Sequence, residues 1–207
     1  DFRRLFYTWT RDITTGAFED WVEIASRDKT CGWVMPGDLW VAPDGAAHLV
    51  WTEQAIDERL REKFFPGAVQ RHEMNYAVVK EGKVSKRRTL VAREEGTPGV
   101  KAVEPRFHVT PENRIFVFYY ISEAAPETGV TTGNYLMEIS TDGEPGVPAA
   151  VPLAHPLSSY FTATVRGGSP PSKSLELLGA RDATTMGYAR IQPDTNPEID
   201  TASPAAP

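Results

Sequence analysis

Asp38-Leu-Trp-Val-Ala-Pro-Asp-Gly-Ala-Ala-His-Leu-Val-Trp-Thr52 recurs without a gap as Arg106-Phe-His-Val-Thr-Pro-Glu-Asn-Arg-Ile-Phe-Val-Phe-Tyr-Tyr120. Each copy reads as strand, tight turn, strand. Pro43 and Pro111 suit the first corner of such a turn, and Gly45 and Asn113 suit a residue with positive φ. Aromatic and β-branched residues fill the flanks, as a pleated strand prefers. The two segments are therefore hairpins of one repeated unit.

Working outward, a second hairpin follows each copy. Asn75-Tyr76-Ala-Val-Val leads through Glu81-Gly82 to Arg88-Thr-Leu-Val-Ala92, and Asn134-Tyr135-Leu-Met-Glu-Ile leads through Asp142-Gly143 to Ala150-Val-Pro-Leu153. Two hairpins make a four-stranded antiparallel unit with strands a, b, c and d. The flanks carry incomplete units: Phe6 to Trp9 with Trp21 to Ile24 reads as c and d. Tyr160 to Val165, Ser174 to Leu178 and Gly187 to Ile191 read as a, b and c. On this alignment Tyr7, Tyr76, Tyr135 and Tyr188 share one strand-c position. A period of 3.6 appears once, at residues 54–65, where Ile56, Leu60 and Phe64 predict a helix between strands b and c.

Repeated four-stranded units are the sequence signature of a β-propeller. The fold class is thus all-β, with propeller blades divided as a partial blade over 1–36, full blades over 37–103 and 104–154, a partial blade over 155–192, and a disordered Pro-rich tail over 193–207. Two full and two partial blades are few for a ring, so remaining blades are expected from missing chain or another subunit. The rival architecture is an aromatic-rich β-sandwich.

The repeat style resembles the sialidase-like propellers with BNR or Asp-box repeats. Residues 38–52, 106–120 and the closing Gly187-Tyr-Ala-Arg-Ile191 carry the likeness. The Asp-boxes are degenerate: Ser26-Arg-Asp28-Lys-Thr-Cys-Gly32-Trp33 has the residue types with two extra positions before the glycine. The resemblance implies a carbohydrate-active enzyme, a glycoside hydrolase or polysaccharide lyase, acting on an acidic or deoxy-sugar glycan. A non-catalytic glycan-binding or protein-binding propeller is the alternative. An oligo- or polysaccharide partner and an extracellular or periplasmic location go with either.

Composition sets bounds. The chain has 207 residues, a formal net charge of −6 and one cysteine, Cys31. The acidic balance argues against nucleic acid as partner. A single cysteine allows neither an internal disulfide nor a cysteine metal cage, and no cofactor or metal motif appears. No apolar run reaches the roughly 20 residues of a membrane span.

In propellers the d–a and b–c connections gather at one end, where ligands bind, and loops carry function more often than strands. Those connections hold the candidate residues. For proton transfer they are His155, His72 and Tyr160, with the imidazoles titrating near neutrality. Glu53 and Glu104 form a candidate hydrolase carboxylate pair. Arg106 and Arg181 suit bidentate contact with a sugar carboxylate. His108 shares a strand face with Arg106, and Tyr120 and Asp38 complete the candidate substrate contacts. Each also has a structural reading: satisfied loop histidines, packed tyrosines, and a buried Arg–His pair between blades. His48 reads as structural.

Overall fold

The computed structural model describes residues 2–123, 129–163 and 169–193. Four antiparallel sheets follow one another along the chain. The first pairs β1 (Arg4–Tyr7) with β2 (Val22–Ser26). The second is a meander of β3 (Cys31–Val41), β4 (Ala47–Ile56), β5 (Arg71–Lys80) and β6 (Lys83–Glu94). The third runs through β7 (Lys101–Val109), β8 (Ile115–Glu123), β9 (Gly133–Ile139) and β10 (Ala149–Val151). The fourth holds β11 (Tyr160–Thr162), β12 (Leu175–Ala180) and β13 (Met186–Ile191). The end of the strand expected at Val165 and the expected tail beyond Pro193 lie outside the described residues.

The repeated hairpins form with matching turns. Gly45 N–H donates to Ala42 O and Asn113 N–H to Thr110 O, both at 2.9 Å. Gly45 and Asn113 have φ of 79° and 60°, the left-handed region that glycine and asparagine tolerate best.

The sheets stack in chain order. Leu49 and Trp51 of the second sheet pack against Ile24 and Tyr7 of the first. Its opposite face, with Val50 and Tyr76, meets Phe107, Val117 and Tyr119 of the third. Phe116, Phe118 and Leu136 on the far side of the third meet Tyr160, Leu175 and Leu177 of the fourth. The alternation along β4 and β8 places successive residues on opposite faces, so the two middle sheets are covered on both sides and read as near-continuous apolar runs.

Register corrects the tyrosine alignment. Tyr76 pairs with Val50, whose counterpart in the hairpin repeat is Phe118, and Phe118 pairs with Leu136. Tyr135 sits one residue earlier, opposite Tyr119. A one-residue offset reverses the face: Tyr76 points toward the third sheet and Tyr135 back toward the second.

The helix is shorter than its apolar period predicts. It spans Glu58–Phe64, capped by Asp57, whose side chain accepts the Arg59 N–H. Gln54, Ala55 and Ile56 extend β4 instead, because pairing with β3 and β5 satisfies their backbone and buries Ile56. Glu53, His72, Asp38, Glu104 and Arg106, expected in connections, likewise stand in strands.

Candidate functional site

The expected site residues fall into separate groups. At the first-strand junction of the second, third and fourth sheets, β3 is bulged between Pro36 and Asp38 and β7 between Val103 and Arg106. Pro36 and Pro105 lack the N–H that a regular ladder uses, which favours bulges there. Glu104 takes φ of 54°. Asp38 is buried; its Oδ1 accepts the Leu39 N–H at 2.8 Å and its Oδ2 the Phe107 N–H at 3.0 Å. The Arg106 guanidinium donates to Gly37 O at 3.1 Å, Pro105 O at 2.8 Å and Glu104 Oε2 at 3.1 Å. Tyr160 donates its hydroxyl to Glu104 O at 2.5 Å, and burial raises its pKa well above the phenol value. Asp38, Glu104, Arg106 and Tyr160 therefore come together, with their polar atoms committed to joining three sheets.

Glu53 lies elsewhere, between the first and second sheets. Its buried carboxylate accepts Arg27 Nε at 2.5 Å, Trp51 Nε1 at 2.6 Å, Asn75 Nδ2 at 3.2 Å and Arg87 at 3.3 Å. Arg27 also reaches Glu73 Oε2 at 2.5 Å. Four donors on one buried carboxylate make a closed ion network. Glu53 and Glu104 thus belong to different sheets, each with its own arginine.

His72 lines a small cleft of about 230 Å³ with Gln70, Arg93 and Glu123. Burial, aided by Lys101 and Arg93, lowers its pKa. His108 is buried between the third and fourth sheets; burial lowers its pKa, and its Nε2 has no partner among the described residues. Tyr120 packs part-buried against the apolar cluster of that same junction.

His155 and Arg181 meet. The connection before β11 and the β12–β13 turn close a cleft of about 350 Å³ lined by Leu153, His155, Leu157, Arg181 and Tyr188. Gly187, which pairs with Gly179 across β12 and β13, lies in its floor. A Cβ on Gly187 would stand 2.8 Å from Arg181 Cγ and 2.9 Å from Cδ; one on Gly179 would stand 2.7 Å from Ser159 O. Absent side chains here let the Arg181 stem lie on the sheet and the chain at Leu157 cross close above it. Leu157 is anchored by Asn134, which accepts its N–H at 2.7 Å and donates to its carbonyl at 2.8 Å. Among the described residues no carboxylate pairs with the Arg181 guanidinium. Arg181 and His155 are both exposed in this cleft, while the Tyr188 side chain turns to the other face of the sheet, in line with Leu178. Gly187 escaped attention as a site residue in the sequence; the Gly179–Gly187 spacing across a short turn was the available signal.

Among the described residues no three His, Cys, Asp or Glu side chains gather as a metal site, and no helix is long and apolar enough to cross a membrane. The chain matches no family model and no curated protein.

Proposed function

We propose that the chain is a propeller-type module that binds an acidic oligosaccharide at the Arg181–His155 cleft without transforming it. The observation that carries this reading is an arginine held along a glycine floor with its head unpaired among the described residues, in one cleft with an exposed histidine. A guanidinium of this kind takes a carboxylate bidentately. The volume of about 350 Å³ falls at the lower end of the roughly 300–1,000 Å³ of small-ligand clefts. The sequential stack of four meander sheets supports the propeller arrangement.

Binding is favoured over hydrolysis because the candidate pair is divided: Glu53 is held in an ion network between the first and second sheets and Glu104 by Arg106 at the junction with the fourth, whereas a glycosidase pair faces one bond across about 5–9.5 Å. Isothermal titration with a uronic-acid trisaccharide and its uncharged counterpart tests the reading. The acidic sugar is expected to bind at least 10-fold tighter, and Arg181→Ala to abolish that preference. Parallel assays for unsaturated uronate and new reducing ends should stay flat. Equal affinity for the two sugars, or no binding of either, overturns the acidic-sugar reading; product formation overturns the non-catalytic one.

A further inference from the structure

Every junction between sheets in this molecule joins a forward face, turned toward the next sheet along the chain, to a backward face of that next sheet. Val50 and Tyr76 are forward and meet the backward Phe107 and Tyr119; Phe118 and Leu136 are forward and meet the backward Leu175 and Leu177. Among the described residues, one forward face and one backward face remain uncovered.

The uncovered forward face belongs to the fourth sheet. Phe161 pairs with Leu178 and Leu178 with Tyr188, so the three side chains form one row across the sheet. They are 74%, 47% and 60% exposed, with Met186 beside them at 54%. Tyr188 is the counterpart of Tyr76 in the repeat, yet Tyr76 is 1% exposed beneath the third sheet, edge-on to Phe107 at 6.3 Å. The uncovered backward face belongs to the first sheet. Phe6 and Trp21 meet edge to face at 5.6 Å, and Trp21 is 71% exposed. Each face also carries ion pairs: Arg190–Glu176 at 2.9 Å on the fourth sheet, and on the first Arg4, which bonds Asp28 at 2.6 Å and lies 3.7 Å from Glu23.

A stack that ended in water would be expected to present polar outer faces. Contiguous exposed aromatics mark an interaction surface instead. We propose that the two faces cover each other between two copies of this chain, the fourth sheet of one seating on the first sheet of the other. The pairing is forward on backward, as in the three junctions within the chain, and both faces are apolar, flanked by charges that each sheet already pairs within itself. A heterologous contact made twice between two copies closes on itself. Two chains bring four sheets each, eight in all, within the about four to eight of propeller rings. The proposal rests on the propeller reading of the sheet stack and is independent of any ligand.

Sedimentation velocity of the full chain tests it, with Phe161→Glu for the forward face and Trp21→Glu for the backward face. Both side chains are exposed, so both variants should keep the circular dichroism and melting of the parent. The parent is expected to sediment as a dimer at micromolar concentration, and each variant alone to weaken association at least 10-fold. An equimolar mixture of the two variants should recover heterodimer, because one junction in it is intact. A parent that stays monomeric at 100 µM, a mixture that stays as monomeric as its components, or a ladder of open oligomers each overturns the closed two-copy pairing.

Discussion

The Asp38 carboxylate, at the bulge of β3, accepts the backbone N–H of Phe107 in β7 at 3.0 Å. One side chain thereby stitches the first strands of two sheets at the point where both are bulged. The bond is buried, and it sits beside Gly37, against which Pro105 packs so closely that a Cβ would lie 2.6 Å from Pro105 Cγ and 2.8 Å from both Pro105 O and Val50 O.

Two substitutions should therefore loosen the same junction by different routes. Asp38→Ala leaves the buried Phe107 N–H without its acceptor and should cost about 1–3 kcal/mol. Gly37→Ala forces backbone apart on two sides and should cost about 2–3 kcal/mol. Urea unfolding read by tryptophan fluorescence checks both; a loss below 0.5 kcal/mol on the same scale for either would show that the junction yields freely.

The Glu53 network should be far more sensitive to loss of charge than any surface ion pair. Glu53→Ala leaves Arg27 and Arg87 without their shared buried carboxylate and should destabilise by about 3–5 kcal/mol. Arg190→Ala, whose partner Glu176 is solvent-accessible, should change stability by less than about 1 kcal/mol. Comparing the two melting midpoints separates a buried network from an exposed pair.

His48 makes the fold acid-sensitive. Burial lowers its pKa from 6.5 to about 4, and its Nδ1 lies 2.7 Å from the Tyr76 hydroxyl. A base whose pKa falls on folding binds its proton more readily in the unfolded chain. The neutral ring's full contribution is present above pH 6.5 and declines as pH drops toward 4. Allowing for the ring's partial solvent access, the loss across that window should be about 2 kcal/mol. Chemical denaturation at several pH values checks this, and His48→Gln should flatten the slope between pH 4 and 6.5.

Gly187→Ala should separate binding from stability at the cleft. The added methyl meets only the flexible Arg181 stem at 2.8–2.9 Å, together with Leu157 Cδ2 at 3.7 Å, so the fold can absorb it by moving Arg181. The expected outcome is a melting temperature within a few degrees of the parent and at least a 10-fold loss of acidic-sugar affinity by titration. Unchanged affinity would place the sugar carboxylate away from Arg181.

Much of the fold was legible in local chemistry. The turns at Gly45 and Asn113 follow from residues that accept positive φ, and the two gapless hairpins follow from those turns plus β-rich flanks. Strand ends were harder, because Glu53, His72 and Glu123 look like loop residues until ion pairing and sheet hydrogen bonds make strand positions tolerable for them. The tyrosine alignment failed at Tyr135 for a related reason: residue type repeats in the chain, but register is set by pairing across strands, and one step exchanges the faces.

The candidate site divided along the same line. Residue types alone nominated His155 and Arg181, since a Pro-bounded histidine and an arginine in connecting segments are exposed by default. Their meeting in one cleft, and the separation of Glu53 from Glu104, depended on which sheet faces which. Sequence by itself determined the antiparallel units and their turns, because those rest on interactions a few residues apart. Tertiary structure alone decided which charges are neutralised in the interior and which stay free at the surface, because pairing across sheets joins residues 26 to 69 positions apart, such as Arg27 with Glu53 and Asp38 with Phe107.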